Sequence, residues 1–143
     1  MPPYVDTSAL AKWYLSETRS DDFEAFIRQQ ESAAISRLTV LELHCLLGRR
    51  RRSREIDTRI ERQVLTAFEQ DIRDGFLMVH PLQDAHASTA VAILSRLRSH
   101  PLRSLDALHL AVARDLGATL FATADRVLAA AAGALGIETA RFD

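Results

Sequence analysis

Short apolar runs alternate with helical segments along this chain, and no two runs are joined by a tight turn. The runs are PYV, SAAIS, FLMV, TLFAT and IETA. No Asn-Gly or similar hairpin signal lies between neighbouring runs. Strands always separated by helices do not pair as hairpins; they pair in parallel, and the helices cover the two faces of the sheet. The expected class is therefore α/β, with a parallel sheet of four to five strands flanked by helices. At 143 residues one domain is the default, since domains commonly run to about 100–200 residues. No repeat, low-complexity segment or linker interrupts the pattern.

The helical segments carry their own punctuation. Leu10, Trp13 and Tyr14 are helically spaced in TSALAKWYLSE. Ser20 is a plausible cap for SDDFEAFIRQQ, where Phe23, Phe26 and Ile27 share a face. LTVLELHCLLGRRRR runs from apolar to basic, as the C-terminal end of a helix dipole favours. Residues 55–73 are amphipathic, and Gly75 ends them. Pro101 stops the helix that begins at DAHASTAV, Gly117 closes SLDALHLAVA, and ADRVLAAAAGALG precedes the last strand.

A hydrophobic content of 48% is enough for a core. The formal net charge of -1 supplies no field that draws the whole molecule to nucleic acid or membrane. Cys45 is the only cysteine, so neither an intrachain disulfide nor a thiolate zinc site can be built. The amino-terminal stretch MPPYVDTSA lacks the basic-then-apolar order of a signal peptide. The longest apolar stretch, VLAAAAGALGI, is short of the ~20 residues that span a bilayer. These features predict a cytoplasmic protein with no membrane partner.

Four acids stand where such a sheet binds ligands, beyond the carboxyl ends of its strands. Asp6 follows the first strand, and Asp125 follows TLFAT. Glu42 sits in the first turn of the helix after SAAIS, and Asp106 opens the apolar helix SLDALHLAVA. Each also has an ordinary explanation. Asp6 can simply cap a helix, Glu42 can complete a T-x-x-E capping box with Thr39, and Asp106 and Asp125 can be first-turn acids favoured by the dipole. Taken jointly, four carboxylates in one crevice repel one another unless protons or a cation intervene. Oxygen donors with no histidine or cysteine cluster suit Mg²⁺ or Mn²⁺, which can acidify water and neutralise charge on a phosphodiester.

The segments YVDTSAL, LTVLEL, SLDALHLAVA and TLFATADRVL, in this order and spacing, resemble the acidic motifs of PIN-domain ribonucleases. The chain's length resembles the VapC toxin branch of bacterial toxin–antitoxin pairs. The resemblance implies a single PIN-like nuclease domain over residues 1–143 and Mg²⁺- or Mn²⁺-dependent endoribonuclease activity. It implies catalytic roles for Asp6, Glu42, Asp106 and Asp125, with Asp6, Asp106 and Asp125 as metal ligands. Ser8 and Thr123 match supporting hydroxyl positions. It further implies an RNA substrate, a cognate antitoxin protein and a homodimer.

Other residues admit two uses. His109, three residues after Asp106 and on its helix face, can bind substrate phosphate, tune Asp106, or be a buried histidine with a local bond. Arg49, Arg50 and Arg51, within RRRRSR, can meet RNA phosphates or an acidic protein, or form a solvated helix end. Trp13, Tyr14, Phe23 and Phe26 suit a core, or a partner-docking face, better than base stacking. Three other functions fit the same strand-end acids: a PIN nuclease that is no toxin, a phosphoacceptor domain, and a non-catalytic α/β binding module. The phosphoacceptor reading is weakened because the only lysine, Lys12, follows no strand.

Overall fold

The computed structural model describes residues 1–143. Five strands form one parallel sheet: β1 (Tyr4–Val5), β2 (Ala33–Ser36), β3 (Leu77–His80), β4 (Leu120–Thr123) and β5 (Glu138–Arg141). Seven helices connect them: α1 (Thr7–Tyr14), α2 (Ser20–Ile27), α3 (Arg37–Arg52), α4 (Thr58–Arg73), α5 (Asp84–Arg96), α6 (Ser104–Asp115) and α7 (Arg126–Ala134). Strand order is β3-β2-β1-β4-β5. Tyr4 pairs with Ala34 on one side and Phe121 on the other, so the shortest strand is the central one.

The sheet separates two cores because strand side chains alternate between its faces. Tyr4, Ala34 and Phe121 point to the face covered by α5, α6 and α7. Val5, Ala33, Ile35 and Ala122 point to the face covered by α1 to α4. Helix α6 lies in the first core with Ala107, Leu110, Ala111, Val112 and Ala113 fully buried. Its small residues let it pack closely against α5. α5 and α6 run antiparallel, since His86 in the first turn of α5 is bonded to Asp115 at the end of α6 at 3.0 Å.

Helix starts are fixed by side-chain caps. Asp6, Asp57 and Asp125 accept the backbone N–H groups of Ala9, Ile60 and Leu128 at 3.0, 2.8 and 3.0 Å. Gly75 and Gly117 hold φ of 79° and 68° just past α4 and α6, a left-handed exit that suits glycine. Two local expectations are corrected. Ser20 does not cap α2: Arg19 occupies that position, while the Ser20 hydroxyl donates to Leu15 O and accepts from Glu17 N–H, tying down the preceding loop. The aromatic docking face is corrected only at Phe23, which takes the core alternative, while Trp13, Tyr14 and Phe26 stay partly exposed. Phe23 is wholly buried against Phe142, Tyr14 packs on Phe68 and donates to Asp71 at 2.6 Å, and Arg28 covers the Trp13 ring. No helix is long and apolar enough to cross a membrane.

Candidate active site

From β1 the chain winds outward through β2 and β3, then returns to build β4 and β5 on the other side. The order thus reverses between β1 and β4, and a crevice opens beyond their carboxyl ends. Asp6 is the first residue past β1 and Thr123 the last of β4. The Thr123 hydroxyl donates to Asp6 Oδ2 at 2.5 Å, and the Ser8 hydroxyl donates to Oδ1 at 2.7 Å. Ser8 Oγ accepts from Ala124 N–H at 2.9 Å, and Thr123 Oγ1 accepts from Asp125 N–H at 3.0 Å. Asp6, at 3% exposure, is therefore held through both of its carboxylate oxygens.

Asp6, Glu42, Asp106 and Asp125 all line this crevice, whose volume is about 420 Å³. The four acids come from the ends of β1 and β4 and from α3 and α6. Glu42 is not the capping-box partner of Thr39. Helix α3 starts earlier than the sequence suggested, at Arg37, and Thr39 instead accepts from the N–H of its cap, Ser36, at 3.4 Å. Glu42 thereby falls in the second turn, where its Oε1 accepts from the Thr7 hydroxyl at 2.7 Å and from His109 Nε2 at 2.5 Å. Asp106 accepts from Arg103 N–H at 3.1 Å. Each of Glu42, Asp106 and Asp125 makes its protein bonds through one carboxylate oxygen and leaves the other to the crevice.

The candidate substrate contacts divide. His109 has no nitrogen left for a phosphate: Nδ1 lies 2.8 Å from the Tyr4 hydroxyl and Nε2 is bonded to Glu42. It is bonded to Glu42 and not to Asp106. Arg50 pairs with Glu17, and Arg51 with Glu61 at 3.0 Å, so both are engaged away from the crevice. Arg49 is exposed and lines the crevice wall. The sequence reading passed over Thr7, Tyr4 and Arg103. Thr7 lies next to Asp6 in the chain, and the polar end of Tyr4 in an apolar strand was a visible signal. Arg103, which lines the crevice, offered none beyond its place ahead of a helix.

Burial pushes the Asp6 carboxyl above its ordinary range, against the opposing pull of His109, the Thr123 and Ser8 hydroxyls and the Ala9 N–H. Burial also works to raise Glu42, but the His109 bond and charge, the Thr7 hydroxyl and Arg103 outweigh it and hold the carboxyl below its usual range. As the side chains stand, no three His, Cys, Asp or Glu groups converge on one point at ligating distance. The donor set nonetheless fits a hard divalent ion in kind, being carboxylate and hydroxyl oxygens with three carboxylate oxygens free of protein donors. A cation would have to draw these oxygens inward.

A family model described as "PIN domain" matches residues 4–134. A comparison with curated proteins finds no match. Among solved structures, VapC20 of Mycobacterium tuberculosis, a Sarcin-Ricin loop cleaving toxin, is similar with a TM-score of 0.72 at 21% identity, covering 90% of this chain and 93% of that one. FitAcB from Neisseria gonorrhoeae is similar with a TM-score of 0.71 at 18% identity, covering 98% and 96%. The DNA-bound VapBC of Salmonella typhimurium matches with a TM-score of 0.66 at 19% identity over 100% of both chains. At these identities the likeness establishes the fold.

Proposed function

Since this chain belongs to the PIN domain family, we propose that it is a divalent-metal-dependent endoribonuclease acting as the toxin of a toxin–antitoxin pair. The observation that carries the nuclease reading is the crevice itself: four carboxylates from four elements line one hollow where the strand order reverses, with one of them buried. Helix capping explains Asp6 and Asp125 in part. It does not explain Glu42, which lies past the first turn of α3, nor why all four share one hollow. The toxin reading is supported by likeness to a toxin described as cleaving the Sarcin-Ricin loop and to VapBC and FitAB structures, some bound to DNA.

Asp6, Asp106 and Asp125 would hold Mg²⁺ or Mn²⁺, with Ser8 and Thr123 fixing Asp6. Such an ion supplies acidified water and charge neutralisation at a phosphodiester. The residues' own part is geometric. Asp6 is locked by three donors, so it offers a fixed charge at the base of the crevice. Glu42 presents an ionised carboxylate able to take a proton from water, a contribution of about 10²–10⁴-fold for a well-placed base. Arg49 and Arg103 stand at the wall as cations able to meet the RNA backbone on either side of the acids. A cytoplasmic location, a homodimer and an antitoxin partner complete the proposal.

The test is Asp106→Asn, which keeps volume and the bond to Arg103 N–H while removing a charge. Cleavage of RNA in Mg²⁺ is expected to disappear with the melting temperature unchanged. Wild-type cleavage by the purified variant would remove Asp106 from the metal site, and absence of cleavage by the unaltered protein would return the chain to the binding-module reading.

A further inference from the structure

We propose that His109 is a positioning residue that straps Glu42 to the helix bearing Asp106, and so sets how the two carboxylates face each other. The inference rests on the nuclease reading for its consequence, though not for its geometry. His109 and Asp106 lie three residues apart on one face of α6. The imidazole is 3% exposed and is held at both nitrogens, by the Tyr4 hydroxyl at 2.8 Å and Glu42 Oε1 at 2.5 Å.

The anchor behind the ring is rigid in turn. Tyr4 lies in the central strand, stacks on Phe121 with centroids 5.4 Å apart, and its hydroxyl is hydrogen-bonded with Ser36 Oγ at 3.0 Å. On the far side, the Thr7 hydroxyl meets the same Glu42 oxygen at 2.7 Å. Two donors on Oε1 fix the plane of the carboxylate and direct Oε2 away from them. A glutamate left alone on a helix surface would sample several rotamers, and ordering such a side chain costs entropy. Here α1, α3, α6 and β1 all contribute to ordering it.

Mere core filling does not account for this arrangement. The flanking positions of α6 that face the core are Ala107, Leu110 and Ala111, and an apolar residue would fill the place without the desolvation cost of an imidazole. A polar ring buried there is consistent only with the need for both of its bonds.

Two near-isosteres separate strap from filler. Glutamine at 109 carries its amide N–H about as far as Nε2 and reaches Glu42. Asparagine stops near the place of Nδ1 and reaches only Tyr4. With Mg²⁺ and a single-stranded RNA, His109→Gln is expected to stay within about tenfold of wild type. His109→Asn is expected to lose about 100-fold in kcat with KM unchanged, as a misplaced catalytic group does. Equal activities in the two variants would overturn the strap. A metal-free measurement stands beside this one: proton–nitrogen spectra of the wild-type imidazole should show a slowly exchanging proton on His109 Nε2 that is lost in Glu42→Ala. If that proton is missing, or survives in Glu42→Ala, the strap is wrong. If wild type cleaves no RNA while the proton behaves as expected, the nuclease reading falls and the strap stands as geometry.

Discussion

Asp6 carries a negative charge where water scarcely reaches, and its protonation is therefore coupled to folding. Its carboxyl is raised above the ordinary 3.8 by burial, so the native state holds the proton more tightly than the unfolded chain does. Stability from this group is greatest at low pH and is lost as pH climbs from about 3.8 through the raised value. Glu42 has the opposite sign: held below its ordinary 4.5, it stabilises the fold above that pH and withdraws support as pH falls through its native value. Asp6→Asn is accordingly expected to be more stable than wild type at pH 7 without divalent ions, with the difference closing near pH 3. Denaturant titrations at the two pH values measure this, and a less stable variant at pH 7 would refute it. The amide can still accept from Ala9 and donate to Thr123, so no buried bond is lost. Glu42→Gln keeps an oxygen for Thr7 and His109 but gives up the charge that stabilises the fold above pH 4.5, so its melting temperature should fall modestly at pH 7 while cleavage falls by about 10²–10⁴-fold.

Among the elements, α6 has least room to vary. Ala111 is wholly buried in the core beneath the sheet, and its methyl sets how closely the helix lies. Ala111→Leu is expected to cost about 1–3 kcal/mol by overpacking, and to reduce cleavage as well, because α6 carries both Asp106 and His109. A variant as stable as wild type would show slack in this layer. This helix also shows what the sequence could reveal. Its apolar character and stop at Gly117 were legible, as were the five strands, because alternation and periodicity depend on neighbouring residues alone. Asp6, Asp106 and Asp125 were legible as helix-start residues, whereas Glu42 lies a turn deeper than the sequence suggests. What each side chain bonds was not, because the partners lie far away in the chain: His109 meets Glu42 and Tyr4, Arg50 meets Glu17, and Thr39 turns back to Ser36. The RRRRSR run read as one basic patch, whereas ion pairing to α4 and to the loop after α1 divides it.

For the molecule as a whole, charge is balanced but placed unevenly, with acids inside the crevice and Arg49 and Arg103 at its wall. An RNase of this kind free in a cell damages its own transcripts, so overproduction alone should arrest growth, and co-production of a small protein encoded beside it should restore growth by binding it. Harmless overproduction of a protein that cleaves RNA when purified would remove the toxin reading and leave the nuclease. The bond from Thr123 to Asp6 has a temporal consequence as well. The two residues are 117 positions apart, and Asp6 leaves the ribosome early while β4 is among the last strands to follow. Amino-terminal segments begin to fold during synthesis, yet a nascent chain lacking β4 has neither the Thr123 hydroxyl on its central carboxylate nor Asp125. On the nuclease reading, the crevice gains its last carboxylate and the second hydroxyl on Asp6 only when translation is nearly over.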